Sequence, residues 1–379
     1  MLHQRICRSC LTRDSIAHGP SLLPRRNIHN GLLMAPVVFA GLFVTLYAFK
    51  SLSMVVFQNS LIYMRSVPPG ARQETIEMYA SECRPIKWEE VQFKTRDGKT
   101  LAACVGEPEK DRKLPKALLV YFQGNAGSAP ARLPFLSQII TSTKHVDLTI
   151  FAPSYRGYWY STGRPSEAGL REDARASLQY ARERWSGSDI NSMFIWGHSV
   201  GAAVAAHATA MDTSPSTPTS PKAEGRELEL KGVILETPFT DIPDMLRTLY
   251  PQKWLPYKHL VPFLRSSWNN RAAVQRLGQN APNFPLLIVE AGRDEIVPTG
   301  MAEELEEIAK KAGVKVERVV SKKGLHMDVA MKGEFRDWIG KFMRHCQSYQ
   351  YIAKENPKCT PNPKPKILTS AMFVNVSKL

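Results

Sequence analysis

The sequence predicts an α/β fold with a mostly parallel sheet, and three observations carry that prediction. Short apolar runs at about 91–95, 101–105, 117–122, 148–152, 193–196, 232–236, 285–290 and 315–320 alternate with helical stretches. Some of them, such as 117–122, are apolar throughout, as strands buried on both faces are. The third observation is Gly197-His198-Ser199-Val200-Gly201, which stands between the apolar run 193–196 and the small-residue stretch 202–206. That order reads as strand, sharp turn, helix, with a serine at the apex. About 250 residues lie in this body, ample for one hydrophobic core.

The serine sits where a base can reach its hydroxyl. G-x-S-x-G alone is common by chance, so its worth depends on an acid and a histidine at the right places downstream. The run 285–290 is read as a buried strand, and it ends in Ala291-Gly292-Arg293-Asp294-Glu295. This puts Asp294 in a turn past a strand's carboxyl end. The stretch 314–320 alternates apolar and charged residues and leads into Ser321-Lys322-Lys323-Gly324-Leu325-His326. His326 therefore falls in a loop before a helix expected over 328–343. The order Ser199, Asp294, His326 is the α/β-hydrolase order of nucleophile, acid and base. Glu290 and Glu295 are rival acids, but Asp294 stands in the turn itself. The other histidines lie in the leader, inside the elbow, on a helix or far from any strand's carboxyl end. Singly, each member of the set reads equally well as a turn or surface-loop residue; the order after three separate strands makes the set.

Acyl transfer places negative charge on a carbonyl oxygen, and backbone N–H groups aimed at it stabilise that charge. One donor is expected from Val200, behind the nucleophile. The other is expected from Asn125 in the Gly-rich loop Gln123-Gly124-Asn125-Ala126-Gly127-Ser128 after the strand 117–122. A Gly-rich loop also reads as a phosphate cradle, but it has no G-K-[ST] ending.

Residues 88–343 resemble the membrane-anchored α/β-hydrolase-domain serine hydrolases. These include fungal bud-emergence-type hydrolases, lysophosphatidylserine and monoacylglycerol lipases, and protein-depalmitoylating hydrolases. The matching segments are Tyr-Phe-Gln-Gly-Asn-Ala-Gly-Ser (121–128), Tyr-Arg-Gly-Tyr (155–158) and Ser-Thr-Gly-Arg-Pro-Ser-Glu-Ala-Gly-Leu (161–170). They continue with Ile-Trp-Gly-His-Ser-Val-Gly (195–201) and Glu-Thr-Pro-Phe-Thr (236–240). By position the resemblance implies Ser199 as nucleophile, Asp294 as acid, His326 as base, and Asn125 and Val200 as oxyanion donors. Two departures stand out. The family usually has histidine at Gln123, and Leu-Gly-Gly or Leu-Gly-Thr at Val200-Gly201-Ala202. Backbone donation survives both; the Gln123 change bears on substrate preference.

The resemblance implies an α/β-hydrolase fold with an eight-stranded, mostly parallel sheet, a small lid insertion and an N-terminal membrane helix. Residues 1–30 form a basic leader expected to be disordered, and 31–64 a transmembrane or membrane-associated segment. Residues 65–345 form the hydrolase domain and 346–379 a basic tail. Ser166 is expected to cap a helix running to about Trp185. The Ser/Thr/Pro-rich stretch 213–226 is expected to be a disordered loop. The segment 240–283 reads either as a lid rich in aromatic residues or as ordinary helix packing. A lid of that composition favours an apolar acyl chain.

The 379 residues carry a net charge of +15. The leader contributes +4 and the stretch 341–379 contributes +6, so the body is only mildly basic. No basic, aromatic-interleaved stripe argues for nucleic acid, whereas basic ends suit an anionic membrane surface. Residues 31–49 are nineteen without a charge, followed by Lys50 and a second apolar stretch, long enough to span a bilayer. Arginines on its amino side place the N-terminus in the cytosol and the hydrolase in a lumen. The Arg-rich leader equally resembles a mitochondrial presequence. The chain ends in Ser377-Lys378-Leu379, a peroxisomal address read only from the cytosol. The organelle stays open among endoplasmic reticulum, mitochondrion and peroxisome.

Six scattered cysteines form no disulfide framework, and the lone Cys7-Arg8-Ser9-Cys10 lacks a second ligand pair for zinc. No metal or cofactor is implied. The expected activity is a membrane-anchored serine hydrolase cleaving carboxylic acyl esters, with a lysophospholipid or monoacylglycerol as substrate. An acyl-protein thioesterase is the alternative within enzymes, and a non-catalytic scaffold on the same fold the alternative outside them.

Overall fold

A computed structural model describes residues 28–109, 111–144, 146–215, 228–252 and 254–355. The leader ahead of Ile28, most of the Ser/Thr/Pro stretch and the tail with Ser377-Lys378-Leu379 lie outside the described residues. The chain forms two units, one ending at Leu52 and one beginning at Ser53.

The first unit is most of helix α1, Ile28–Tyr63, in which Met34–Tyr63 is long and apolar enough to cross a membrane. Its side chains Val37, Phe39, Phe43 and Phe49 are exposed, each by more than 60%. Exposed apolar surface of that extent is unfavourable in water and natural in lipid.

In the second unit, eight strands form one sheet: β1 (Ile86–Lys94), β2 (Thr100–Pro108), β3 (Lys116–Phe122), β4 (Asp147–Pro153), β5 (Ser192–His198), β6 (Glu229–Glu236), β7 (Pro285–Ala291) and β8 (Lys315–Ser321). Their order is β1-β2-β4-β3-β5-β6-β7-β8. β2 pairs antiparallel with both neighbours, and every pair from β4 onward is parallel. Helices α2 (Leu133–Ser142), α3 (Glu167–Arg184), α4 (Val200–Asp212), α5 (Ile242–Leu249), α6 (Asn270–Asn280), α7 (Met301–Lys311) and α8 (Gly333–Glu355) complete it.

Alternation along each strand divides the core between the two faces of the sheet. Leu118, Val120 and Phe122 of β3 join one cluster with α3, α4, α6 and α7 side chains such as Leu170, Ala203, Val274 and Leu305. Ala117, Leu119 and Tyr121 join a second with Leu133 and Leu136 of α2 and Phe335 and Ile339 of α8. Helices on both faces explain why the central strands read as unbroken apolar runs.

Ser166 caps α3, its hydroxyl accepting the Gly169 N–H at 3.1 Å. Two boundaries differ from expectation. The helix expected from 328 begins with a 3-10 turn at Val329–Met331, and α8 starts at Gly333. That helix then continues to Glu355, because its apolar stripe reaches past residue 345 to the buried Cys346. The segment 240–283 is divided. Its end, α6, buries Ala273, Val274 and Leu277 in the core. Between α5 and Trp268, prolines break the chain into 3-10 turns, and Tyr250, Trp254 and Phe263 are exposed.

Candidate active site

The site is built at the carboxyl ends of β3, β5, β7 and β8. β5 ends at His198, α4 starts at Val200, and Ser199 between them has φ 55° and ψ −115°. Left-handed backbone at a non-glycine residue costs about 1–3 kcal/mol and needs a rigid surround. The surround is steric. A Cβ on Gly197 would lie 2.0 Å from the Gly201 carbonyl oxygen, and one on Gly201 2.0 Å from that of Phe122. Only glycines let strand, turn and helix approach so closely. The Ser199 N–H donates to the Glu236 carbonyl at 2.9 Å. Its hydroxyl makes no capping bond to α4, so helix formation does not consume it.

The loops after β7 and β8 are zipped together. Gly292 N–H donates to the Ser321 carbonyl at 2.8 Å and Arg293 N–H to the Gly324 carbonyl at 3.0 Å. This brings Asp294 to His326. The imidazole Nδ1 lies 3.0 and 2.9 Å from the two Asp294 carboxylate oxygens, with His326 only 2% exposed. Burial opposes ionisation of Asp294, but the His326 hydrogen bond and charge and the N–H groups of Val297 and Ile296 outweigh it. The carboxyl is held below its ordinary range. The rival acids are otherwise engaged. Glu290 pairs with Arg318 at 2.6 Å, and Glu295 accepts the His326 backbone N–H at 3.0 Å.

The His326 ring faces that of His198, the residue before Ser199, at 5.1 Å between centroids. His198 Nε2 lies 3.0 Å from the His326 carbonyl, so that nitrogen carries the proton and donates. Burial and the neighbouring His326 push His198 down to about 3, which keeps it neutral.

The Gly-rich loop after β3 turns through Ala126 at φ 61° and Gly127 at φ 75°. The N–H groups of Ala126 and Gly127 donate to the carbonyls of Tyr63 and Val67, at 3.2 and 2.6 Å. Ser128 Oγ bonds Glu74 and accepts the Ala131 N–H at 3.2 Å, and Tyr155 Oη donates to the Gln123 carbonyl at 2.8 Å. Gln123 is buried, and its Nε2 has no hydrogen-bond partner. Among the described residues no three His, Cys, Asp or Glu side chains converge as a metal site would require.

Sequence reasoning missed Glu236. Its carboxyl is fully buried at the end of β6 and is pushed up to about 8 by burial, against the Trp196 Nε1–H at 3.0 Å and the Ala330 N–H at 3.1 Å. The available signal was an acid closing an otherwise apolar strand. His198 was set aside as part of the elbow, although it supports the loop that carries His326.

The chain is 30% identical to the protein bem46 of Schizosaccharomyces pombe over 260 residues, 68% of this chain and 76% of that protein. It is 28% identical to the α/β hydrolase domain-containing protein WAV2 of Arabidopsis thaliana, over 74% of this chain and 84% of that one. It is 29% identical to the lysophosphatidylserine lipase ABHD12 of Macaca fascicularis over 205 residues, 52% of this chain and 46% of that protein. No family model matches. Among solved structures, an α/β hydrolase from Vibrio vulnificus shares the fold with a TM-score of 0.56 at 18% identity, over 76% of this chain and 92% of that one. An esterase from Pyrobaculum calidifontis does so with a TM-score of 0.51 at 17% identity, over 73% and 90%.

Proposed function

The chain belongs to the α/β-hydrolase-domain family that includes bem46 and WAV2, a family of serine ester hydrolases, and from that premise we propose that Ser199 is the nucleophile of a membrane-anchored lipid esterase. The observation that carries the reading is the His326 Nδ1 contact with both Asp294 oxygens, in a loop packed on the elbow. Asp294 fixes the proton on Nδ1, leaving Nε2 to take the Ser199 proton as the hydroxyl attacks the ester carbonyl. The imidazolium that forms is stabilised by the ionised Asp294 and then protonates the leaving alcohol. Water, activated by the same imidazole, hydrolyses the acyl-enzyme.

The oxyanion is held by the backbone N–H groups of Val200 and Asn125. Val200 opens α4, where N–H groups point outward without intrahelical partners. In the Gly-rich loop, Ala126 and Gly127 have their N–H groups committed to Tyr63 and Val67, which favours Asn125 as the donor. The substrate is a lipid acyl ester, a lysophospholipid or a monoacylglycerol. Helix α1 supports this by bringing the hydrolase to a bilayer, where such esters reside.

A fluorophosphonate probe tests the chemistry. Wild-type protein should be labelled and Ser199→Ala should not; equal labelling would sink the assignment. A fluorescent fusion at the N-terminus, leaving residues 377–379 free, tests location against organelle markers.

A further inference from the structure

We infer that Arg132 forms an anion subsite beside the nucleophile, so that the preferred substrate is an acyl ester with a phosphate in its alcohol portion. The inference rests on Ser199 as nucleophile and deepens that reading.

A cleft opens next to the elbow, lined by Tyr121, Arg132, Phe135, His198, Glu236 and Met327. Two of these residues bracket the serine. His198 precedes it in the chain, and the Glu236 carbonyl accepts its N–H. Arg132 ends the 3-10 turn Pro130–Arg132, and its guanidinium lies over the Gly-rich loop. Its Nη2 would be 3.3 Å from a Cβ on Gly127.

Several semi-buried arginines of this body have a carboxylate partner that Arg132 lacks. Arg112 pairs with Asp147, Arg156 with Asp97 and Asp173, and Arg318 with Glu290 and Glu306. The Arg132 Nε is buried without a hydrogen-bond partner, and no carboxylate bridges the guanidinium among the described residues. The acid that shares its cleft does not supply the missing charge. Glu236 is pushed up to about 8 by burial and stays protonated at neutral pH, and His198 is neutral. The cleft therefore carries one uncompensated cation between aromatic walls.

A guanidinium with a buried Nε left without a hydrogen-bond partner is costly alone and favours a bound anion. Its planar fork of donors matches phosphate oxygens. An ester held at Ser199 would direct its alcohol portion along the walls that carry this cation. A neutral glycerol would leave Arg132 unpaired; a glycerophosphate would satisfy it.

The test uses the full chain in neutral detergent micelles, with three esters of one acyl chain: lysophosphatidic acid, lysophosphatidylglycerol and monoacylglycerol. The quantity read is the ratio of kcat/KM for each phosphate ester to that for the neutral ester. Wild type should prefer the phosphate esters, and Arg132→Met should lower the ratio roughly ten- to hundredfold, with Arg132→Lys recovering part of it. Preference for lysophosphatidic acid alone would mark a terminal phosphate, and preference for both an internal phosphodiester. In wild type, glycerol 3-phosphate should inhibit monoacylglycerol hydrolysis competitively, a readout that does not depend on a variant folding. A ratio unchanged in Arg132→Met, equal loss on all three esters, or no inhibition by glycerol 3-phosphate would overturn the inference. Loss of fluorophosphonate labelling in wild type would instead overturn the nucleophile assignment, and the inference with it.

Discussion

Two walls stand beside Ser199, and different physics holds each. The elbow is held by exclusion: Gly197 and Gly201 admit a strand and a helix so close that any side chain would collide with backbone. The Gly-rich loop 123–128 is held by hydrogen bonds from far along the chain. The carboxyl end of α1 and the segment after it supply the carbonyls of Tyr63 and Val67 and the carboxylate of Glu74. The same segment reaches the chain between α5 and α6. Gln58 Nε2 donates to the Phe263 carbonyl at 3.1 Å, and Trp268 Nε1–H donates to Tyr63 Oη at 3.0 Å. One wall is thus complete within the sheet, while the other is completed by residues at and after the carboxyl end of α1.

This difference can be broken by substitution, and the elbow should break hardest. In Gly201→Ala the new Cβ meets the Phe122 carbonyl oxygen at 2.0 Å, a backbone clash that no rotamer relieves. Fluorophosphonate labelling should vanish and the melting temperature should fall sharply, by the equivalent of several kcal/mol. Labelled, stable Gly201→Ala protein would show that the elbow yields.

Asp294→Asn should act on chemistry rather than on the fold. In the proposed mechanism the carboxylate fixes the His326 tautomer, so its loss should slow ester hydrolysis by about 10³–10⁴-fold with little change in melting temperature. Unchanged kcat/KM would transfer the role to another acid.

The Gly-rich loop should soften by degrees. Ser128→Ala removes a bond to Glu74 and the acceptor for the Ala131 N–H, worth about 1–3 kcal/mol. Hydrolysis should fall several-fold through kcat more than KM, because loop geometry matters most when the oxyanion forms. A pure KM effect would contradict this.

The least visible effect belongs to Glu236, because it appears only as a slope. Its carboxyl is raised from 4.5 to about 8 in the folded chain. The stability this contributes is full below about 4.5 and is lost as pH rises through 8. Wild type should therefore lose stability across that window, on the order of a few kcal/mol at most, and Glu236→Gln should flatten the curve. Parallel denaturation curves at pH 5 and pH 8 for both proteins would contradict a buried neutral acid.

The eight strands were legible because each is an unbroken or alternating apolar run, and the elbow because small residues cluster around one serine. Asp294 and His326 were legible from their places after β7 and β8. Strand order was not, since pairing β3 between β4 and β5 joins residues that no local pattern connects. The lid question divided for a similar reason. The aromatic residues of 240–283 all fall between 250 and 268, yet Trp268 is fully buried and bonded to Tyr63 while Trp254 is 68% exposed.

By itself the sequence determined which residues are the candidates for chemistry, because the proposed nucleophile, acid and base each come after a strand and local periodicity marks strands. Only the tertiary structure decided the electrostatics around them. Burial raises the Glu236 carboxyl to about 8, Arg132 forms no ion pair among the described residues although Glu236 lines the same cleft, and the Gly-rich loop is fixed by carbonyls some sixty residues earlier. Burial and partner choice are sums over distant segments, and spacing along the chain does not encode them.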